Sequence, residues 1–354
     1  MKKCIIAILT LVFCLLSILL IGCDENSTGG DSGNPSTNPQ DSQQPLEHTH
    51  TFPAWQENVP ATCSTAGEEI RTCDCGVSET RSIPATGVHT TTKELVCSVC
   101  QAAVAYHRDG NRIYFGEYPQ TLKAENVVVS NSVDQRGYYL GSDNAYYAKV
   151  VAAPHDEDYV FSTGATVTAG EEYYFKVEPI AWRVITESNG TAIIVCESVI
   201  ANGAFGVDTN DYAASAMRTW LNGAFYQSAF QNAEKALILT TQVDNSIEST
   251  GHDKVEYACE NTQDNIFLLS YAEATNPQYG FSSNDDRSLR ASDYSLATGV
   301  FVNSEGNGYW WLRSPASRYE YYARLISGGG GSSYANNVDC IYYGIVPVLQ
   351  IDLY

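Results

Sequence analysis

Two groups of residues in this chain have types and spacings that can do chemistry. The first is built on sulfur. Cys73 and Cys75 form a Cys-x-Cys pair, Cys97 and Cys100 a Cys-x-x-Cys pair, and Cys63, His48, His50 and His89 lie in the same segment. The two knuckles, about twenty residues apart, can offer four thiolates to a tetrahedral zinc ion. The same sulfurs can pair as disulfides, which would leave one of the five cysteines over. The sequence leaves zinc and disulfides open, and either would be a structural staple. The second group is aromatic and hydroxylic. Residues 316–343 read ASRYEYYARLISGGGGSSYANNVDCIYY, and 16 of these 28 are Tyr, Ser, Gly or Asn. This is the composition of a contact surface, in which Tyr supplies large amphipathic area at low rotamer cost and Ser, Gly and Asn supply adaptable hydrogen bonds. The expected contact residues are Tyr319, Tyr321, Tyr322, Ser333, Tyr334, Asn336, Asn337 and Tyr342, and the expected ligand is an extracellular protein or a glycan.

Such a surface needs a rigid support. Trp310, Trp311 and Leu312 on one side, with Ile345, Val346, Val348, Leu349 and Ile351 on the other, can anchor two core strands, and Gly328–Gly331 must turn sharply between them. Upstream, Ile113–Phe115 reads as a strand, and Gly116 with Pro119 as a turn. The segment 171–201 predicts three strands with a hairpin turn at Ser188, Asn189 and Gly190. Apolar residues at helical spacing predict two helices over 215–221 and 224–237, broken at Asn222 and Gly223. NIFLLSYAEA reads as a buried strand running into a helical turn that Ser270 can cap. Residues 106–354 are thus expected to form one α+β domain with a mainly antiparallel sheet and two helices. Residues 47–105 form a small Cys-rich module of β-hairpins, too short to stand on its core alone.

The bulk numbers exclude some functions. A chain of 354 residues carries 41 acidic against 20 basic side chains, a formal charge of −21, and no basic cluster follows Lys3. Nucleic acid is therefore not an expected partner, because neutralising its backbone needs a positive patch. Residues 24–46 are almost devoid of apolar side chains and read as a flexible linker. Within 106–354 no nucleophile with its base and no metal cluster stands out, so neither an enzyme nor a cofactor is expected there. Cys196 sits in an apolar run and reads as an inert core thiol. A Cys259–Cys340 disulfide has no support from spacing. The acidic loop around His155, Asp156, Glu157 and Asp158 reads as solvated, and Arg313 as satisfying loop carbonyls.

Three resemblances add to this. MKK, the apolar run Cys4–Gly22 and the tetrad Leu20, Ile21, Gly22, Cys23 resemble the lipobox of bacterial lipoproteins. That implies a signal peptide over 1–22, acylation of Cys23 and a lipid anchor on the extracytoplasmic face of the cell membrane, each buried methylene contributing about 0.8 kcal/mol. The module is similar to cysteine-rich surface repeats of Gram-positive bacteria. Finally, FGEYPQ, IAWRVI, AMRTWLNGAFYQSAF, NIFLLSYAEA, YWWLRSP and a closing GxxPxLxI, in that order, resemble a family of bacterial surface domains. That family looks like the C-type-lectin-like fold shared with formylglycine-generating enzymes and with the variable proteins of diversity-generating retroelements. The resemblance implies a C-type-lectin-like domain whose Tyr-rich run could be diversified by a retroelement. It also implies an alternative, an extracytoplasmic enzyme using a cysteine pair. Calcium binding of the lectin type is not expected: Glu178, Pro179 and Ile180 lack the third ligand, and Trp220, Leu221 and Asn222 fall in a helix. The family's usual GVRP ending is here Gly344, Ile345, Val346 and Pro347.

Overall fold

The computed structural model describes residues 49–87, 89–251, 259–317 and 319–353. The apolar run, Cys23, the linker 24–46 and His48 lie outside the described residues. Among the described residues, no helix is long and apolar enough to cross a membrane. The chain divides into 1–51, of which only the exposed Thr49–Thr51 are described, and a compact unit, Phe52–Tyr354.

The unit begins with a three-stranded antiparallel sheet, β1 (Gln56–Val59), β2 (Gly67–Thr72) and β3 (Ser78–Ile83). Cross-strand pairs Arg71–Glu79 and Arg81–Glu69 lace it, with both guanidinium groups over the Trp55 ring. Next come β4 (His107–Asp109), β5 (Arg112–Leu122), β6 (Val129–Val133), β7 (Tyr139–Gly141), β8 (Tyr146–Val151), β9 (Glu172–Ser188), β10 (Thr191–Cys196) and β11 (Ala201–Asn202). The remaining strands are β12 (Ile238–Leu239), β13 (Thr241–Val243), β14 (Thr262–Asp264), β15 (Ile266–Phe267), β16 (Trp310–Pro315), β17 (Tyr322–Ile326), β18 (Tyr334–Asn337), β19 (Gly344–Ile345) and β20 (Val348–Asp352). The large sheet runs β12-β20-β10-β9-β8-β7-β6, with β15 also on β20 and β5 also on β9. A second sheet, β11-β19-β16-β17-β18, carries the Tyr-rich stretch. The fold is α+β: strand-rich, with short helices.

Local sequence explains much of this. Asn189 and Gly190 both take positive φ, 50° and 76°, as a two-residue β9–β10 turn requires. Ser270 caps Tyr271–Ala274, accepting from the Glu273 amide while the Glu273 carboxylate accepts the Ser270 amide.

Two expectations are corrected. Gly116 and Pro119 do not turn the chain, because β5 continues through both to Leu122 with register shifts at each. Gly116 sits there at φ 68°, and a Cβ would lie 2.5 Å from the Phe230 ring. The helix does not break at Asn222 and Gly223. It passes through a π turn, Leu221–Phe225, to Ala229 and breaks at Phe230 instead. Asn222 is held in place by its amide, which donates to the Ile266 carbonyl and accepts the Asn265 and Ile266 N–H groups. The stretch between the two core ends also contains β17 and β18, with Ala323, Leu325, Ile326 and Val338 buried.

Candidate functional site

The site rests on β16. Trp310, Trp311 and Leu312 are wholly buried, as are Ile345, Val346, Val348, Leu349 and Ile351 opposite them. The two indole N–H groups donate to the carbonyls of Arg287 (3.2 Å) and Gly203 (2.9 Å), which fixes both rings. Arg313 is also buried. It donates to the Leu268 and Asp244 carbonyls, as expected, and additionally to both carboxylate oxygens of Glu273. The glycine turn between β17 and β18 is packed tightly against its surroundings. A Cβ on Gly330 would lie 1.8 Å from the Asn284 carbonyl oxygen, and Arg287 and Ser288 donate to the Gly330 and Gly328 carbonyls.

On this support the tyrosines stand outward. Tyr319, Tyr321, Tyr334 and Tyr342 are 43, 40, 52 and 41% exposed. The Tyr319 and Tyr321 rings stack 5.3 Å apart at 11°, and Tyr322 meets both edge-on. Beside them, Ser317, Tyr322, Arg324, Ser333, Tyr334 and Ala335 line an open depression of about 330 Å³. The pairing of β17 with β18 sets Tyr322 opposite Asn337 and Arg324 opposite Ala335, on the face away from the buried Ala323 and Leu325.

The eight expected contact residues are not all alike. Tyr319, Tyr321, Tyr322, Ser333 and Tyr334, with the half-buried Asn337, gather around β17 and β18. Asn336 is turned to the scaffold, its amide nitrogen donating to the Tyr343 hydroxyl and its oxygen accepting the Asn337 N–H. Tyr342 lies on the β19 side of the sheet, with β16 between it and β17, and its ring meets His155 at 4.5 Å.

Sequence reading missed the residue that ties the tyrosine turn down. Asn210, 3% exposed, donates from its side chain to the carbonyls of Tyr319 (3.1 Å) and Tyr322 (2.9 Å), and from its backbone to that of Glu320 (2.7 Å). The contacts span more than 100 positions, and the only local signal is the polar run Asp208–Asp211 before a helix.

The expected sulfur quartet is also corrected. Cys73 and Cys75 are disulfide-bonded to each other on the β2–β3 turn. Cys97 and Cys100 instead meet Cys63 and His89, and the four donor atoms lie within 4.8 Å of one another, a group able to hold a metal ion. The reason lies in the backbone: Thr86 and Gly87 donate to the Thr62 and Cys63 carbonyls, drawing His89 toward Cys63, and the knuckle closes at Gln101 with φ 60°. The amides of Cys100 and Val99, aimed at the Cys97 sulfur, lower that thiol to about 6. Burial, followed by the neighbouring thiols, pushes Cys63 up to about 11.

Cys196 is enclosed as expected, its thiol pushed up to about 11 by burial. Cys259 and Cys340 are both free, the first beside Asp211 and the second beside Tyr343. Asp156, Glu157 and Asp158 are exposed.

Residues 189–353 match the family model described as a domain of unknown function (DUF6273). Neither the curated proteins nor the solved structures give a match. The match covers the tyrosine surface and its tryptophan support, and leaves β1–β9 and the Cys/His cluster outside.

Proposed function

We propose that this is a lipid-anchored bacterial surface protein that grips an extracellular protein or glycan through Tyr319, Tyr321, Tyr322 and Tyr334 on a C-type-lectin-like scaffold. One observation carries the reading: Tyr319, Tyr321 and Tyr322 form a mutually stacked cluster, two-fifths or more exposed at Tyr319 and Tyr321, with the exposed Tyr334 nearby, on a sheet whose β16 buries two tryptophans. Exposed aromatic groups that are already held by their neighbours lose little rotamer freedom on binding, which is the property of an affinity-matured contact surface. Retroelement diversification of 317–343 fits the same reading, since buried Ala323 and Leu325 alternate with the more open Tyr322 and Arg324 along β17. Cys23 would carry the lipid and residues 24–46 the reach. A structural zinc ion in the Cys-rich module belongs to the reading as well.

The test is a triple variant, Tyr319→Ala, Tyr321→Ala and Tyr334→Ala, screened with the parent on a glycan array and a panel of extracellular proteins. Ligands bound by the parent should be lost by the variant at an almost unchanged melting temperature. Retained binding would place the contact surface elsewhere.

A further inference from the structure

The Cys-rich module lacks what normally holds a domain together. Between Phe52 and Ala105, among the described residues, the only buried side chains are those of Cys63, Cys73 and Cys97. Of its three strands, β1 and β3 are exposed almost throughout and β2 is only half-buried. A segment of this size has no means of offsetting its chain entropy by apolar burial, and small folds without a core need a disulfide framework or a metal. The single disulfide spans two residues and closes almost no chain.

We propose that Cys63, His89, Cys97 and Cys100 hold one tetrahedral zinc ion that serves as the core of this module. The distances between donors carry the assignment. With Zn–S near 2.3 Å and Zn–N near 2.0–2.1 Å, a tetrahedron has an S···S edge of about 3.8 Å and an S···N edge of about 3.6 Å. Cys63 Sγ and Cys97 Sγ lie 3.7 Å apart, and Cys100 Sγ lies 3.4 Å from His89 Nδ1. The first separation exceeds a sulfur–sulfur bond, and the two match an S···S and an S···N edge of a zinc tetrahedron. The knuckle is formed in the way that receives a cation: the Val99 N–H points at the Cys97 sulfur (3.4 Å), and Gln101 takes the left-handed conformation that lets Cys97 and Cys100 face one point. Three thiolates and an imidazole fill all four positions, so the site is closed and structural, without a vacant coordination position for a substrate.

The ion also joins the module to the sheet that follows. Cys97 bridges to Thr91, whose hydroxyl accepts the Arg108 N–H (2.8 Å) at the start of β4, and Tyr106 next to it donates to the Leu353 carbonyl. A metal fixing His89 and Cys97 thus fixes the segment by which the module attaches. This assignment is independent of the tyrosine surface.

The full chain, purified without chelator, should carry one zinc per chain by elemental analysis. Cys63→Ser, His89→Ala and Cys100→Ser should each bring it near zero, and a Cys73→Ser/Cys75→Ser double variant should keep it. Cobalt exchanged into the site should give the intense ligand-field bands of a tetrahedral thiolate complex, which His89→Cys retains and His89→Ala loses. Removing the metal should speed hydrogen exchange over 90–108 and leave 172–196 protected, which separates loss of the site from general unfolding. A metal-free parent after growth with zinc, a Cys63–Cys97 disulfide found by mass spectrometry of the alkylated chain, or zinc lost with the Cys73/Cys75 pair would overturn the proposal.

Discussion

Replacing Asn210 with alanine removes one buried amide and tests whether the tyrosine surface depends on being held. Its side chain makes two hydrogen bonds, 3.1 and 2.9 Å, to the Tyr319 and Tyr322 carbonyls, while the backbone bond to Glu320 survives the change. At roughly 0.5–1.5 kcal/mol net for each bond, the turn should lose about 1–3 kcal/mol of local stability. That corresponds to a fivefold to hundredfold rise, approximately, in the open population. The reporters are the amides of Tyr322, bonded to the Tyr319 carbonyl, and Val338, bonded to that of Tyr321. Their hydrogen exchange should accelerate by that factor while Ile194, in the middle of β10, exchanges as before. Affinity for a ligand found with the parent should fall in parallel, because the loosened turn must be re-ordered on binding. Unchanged exchange at Tyr322 would refute the anchoring role. Faster exchange with unchanged affinity would refute the tyrosine turn as the contact surface.

Two further perturbations probe the support. Gly344→Ala would set a Cβ 2.1 Å from Val199 Cγ1 and 3.0 Å from the Tyr309 carbonyl oxygen, so the melting temperature should drop by the equivalent of about 1–3 kcal/mol or more; a second change, Val199→Ala, should recover part of it. Cys196, whose thiol burial raises from its ordinary 9.0 to about 11, should resist iodoacetamide at pH 8 in the native protein and react after denaturation, as read by mass spectrometry. Its folded-state pKa is the higher one, so the stability that the protonated thiol contributes is complete below about pH 9 and is lost as pH rises toward about 11.

What could be read in the sequence was what local chemistry dictates. The Asn189–Gly190 turn, the Ser270 cap, the inward tryptophans and the enclosed Cys196 all follow from neighbours within a few residues, and each stands where spacing put it. What could not be read was decided by partners far along the chain. Gly116 looked like a turn because nothing local announces the Phe230 ring, 114 positions on, against which the bulge is packed. Asn222 looked like a helix breaker because its distant partners are Asn265 and Ile266, at the start of β15. The knuckle spacing pointed to the four nearest sulfurs, whereas the backbone pairing of 86–87 with 62–63 brings in Cys63 and His89 and leaves Cys73 and Cys75 to each other. Among the expected tyrosine-surface residues, composition could not distinguish Asn336, whose amide is held by Tyr343, from the outward Tyr334 beside it.

The boundary of the family match makes its own prediction. The match begins at Asn189, inside the turn that joins β9 to β10, yet β10 pairs along its whole length with β9, and β9 in turn with β5 and β8. Ile113, Phe115, Phe175, Ile180 and Trp182, each no more than 1% exposed, are supplied from before the match. At about 1.5–3 kcal/mol for each large buried side chain, their loss removes on the order of 8–15 kcal/mol, as much as the whole stability of an ordinary domain. A fragment spanning 189–353 should therefore fail to melt cooperatively, while one spanning 106–353 should give a single transition in calorimetry. A sharp transition from the shorter fragment would show that the core beneath the tyrosine-bearing sheet forms without β5 and β9. The platform on which the binding reading rests would then be the smaller one.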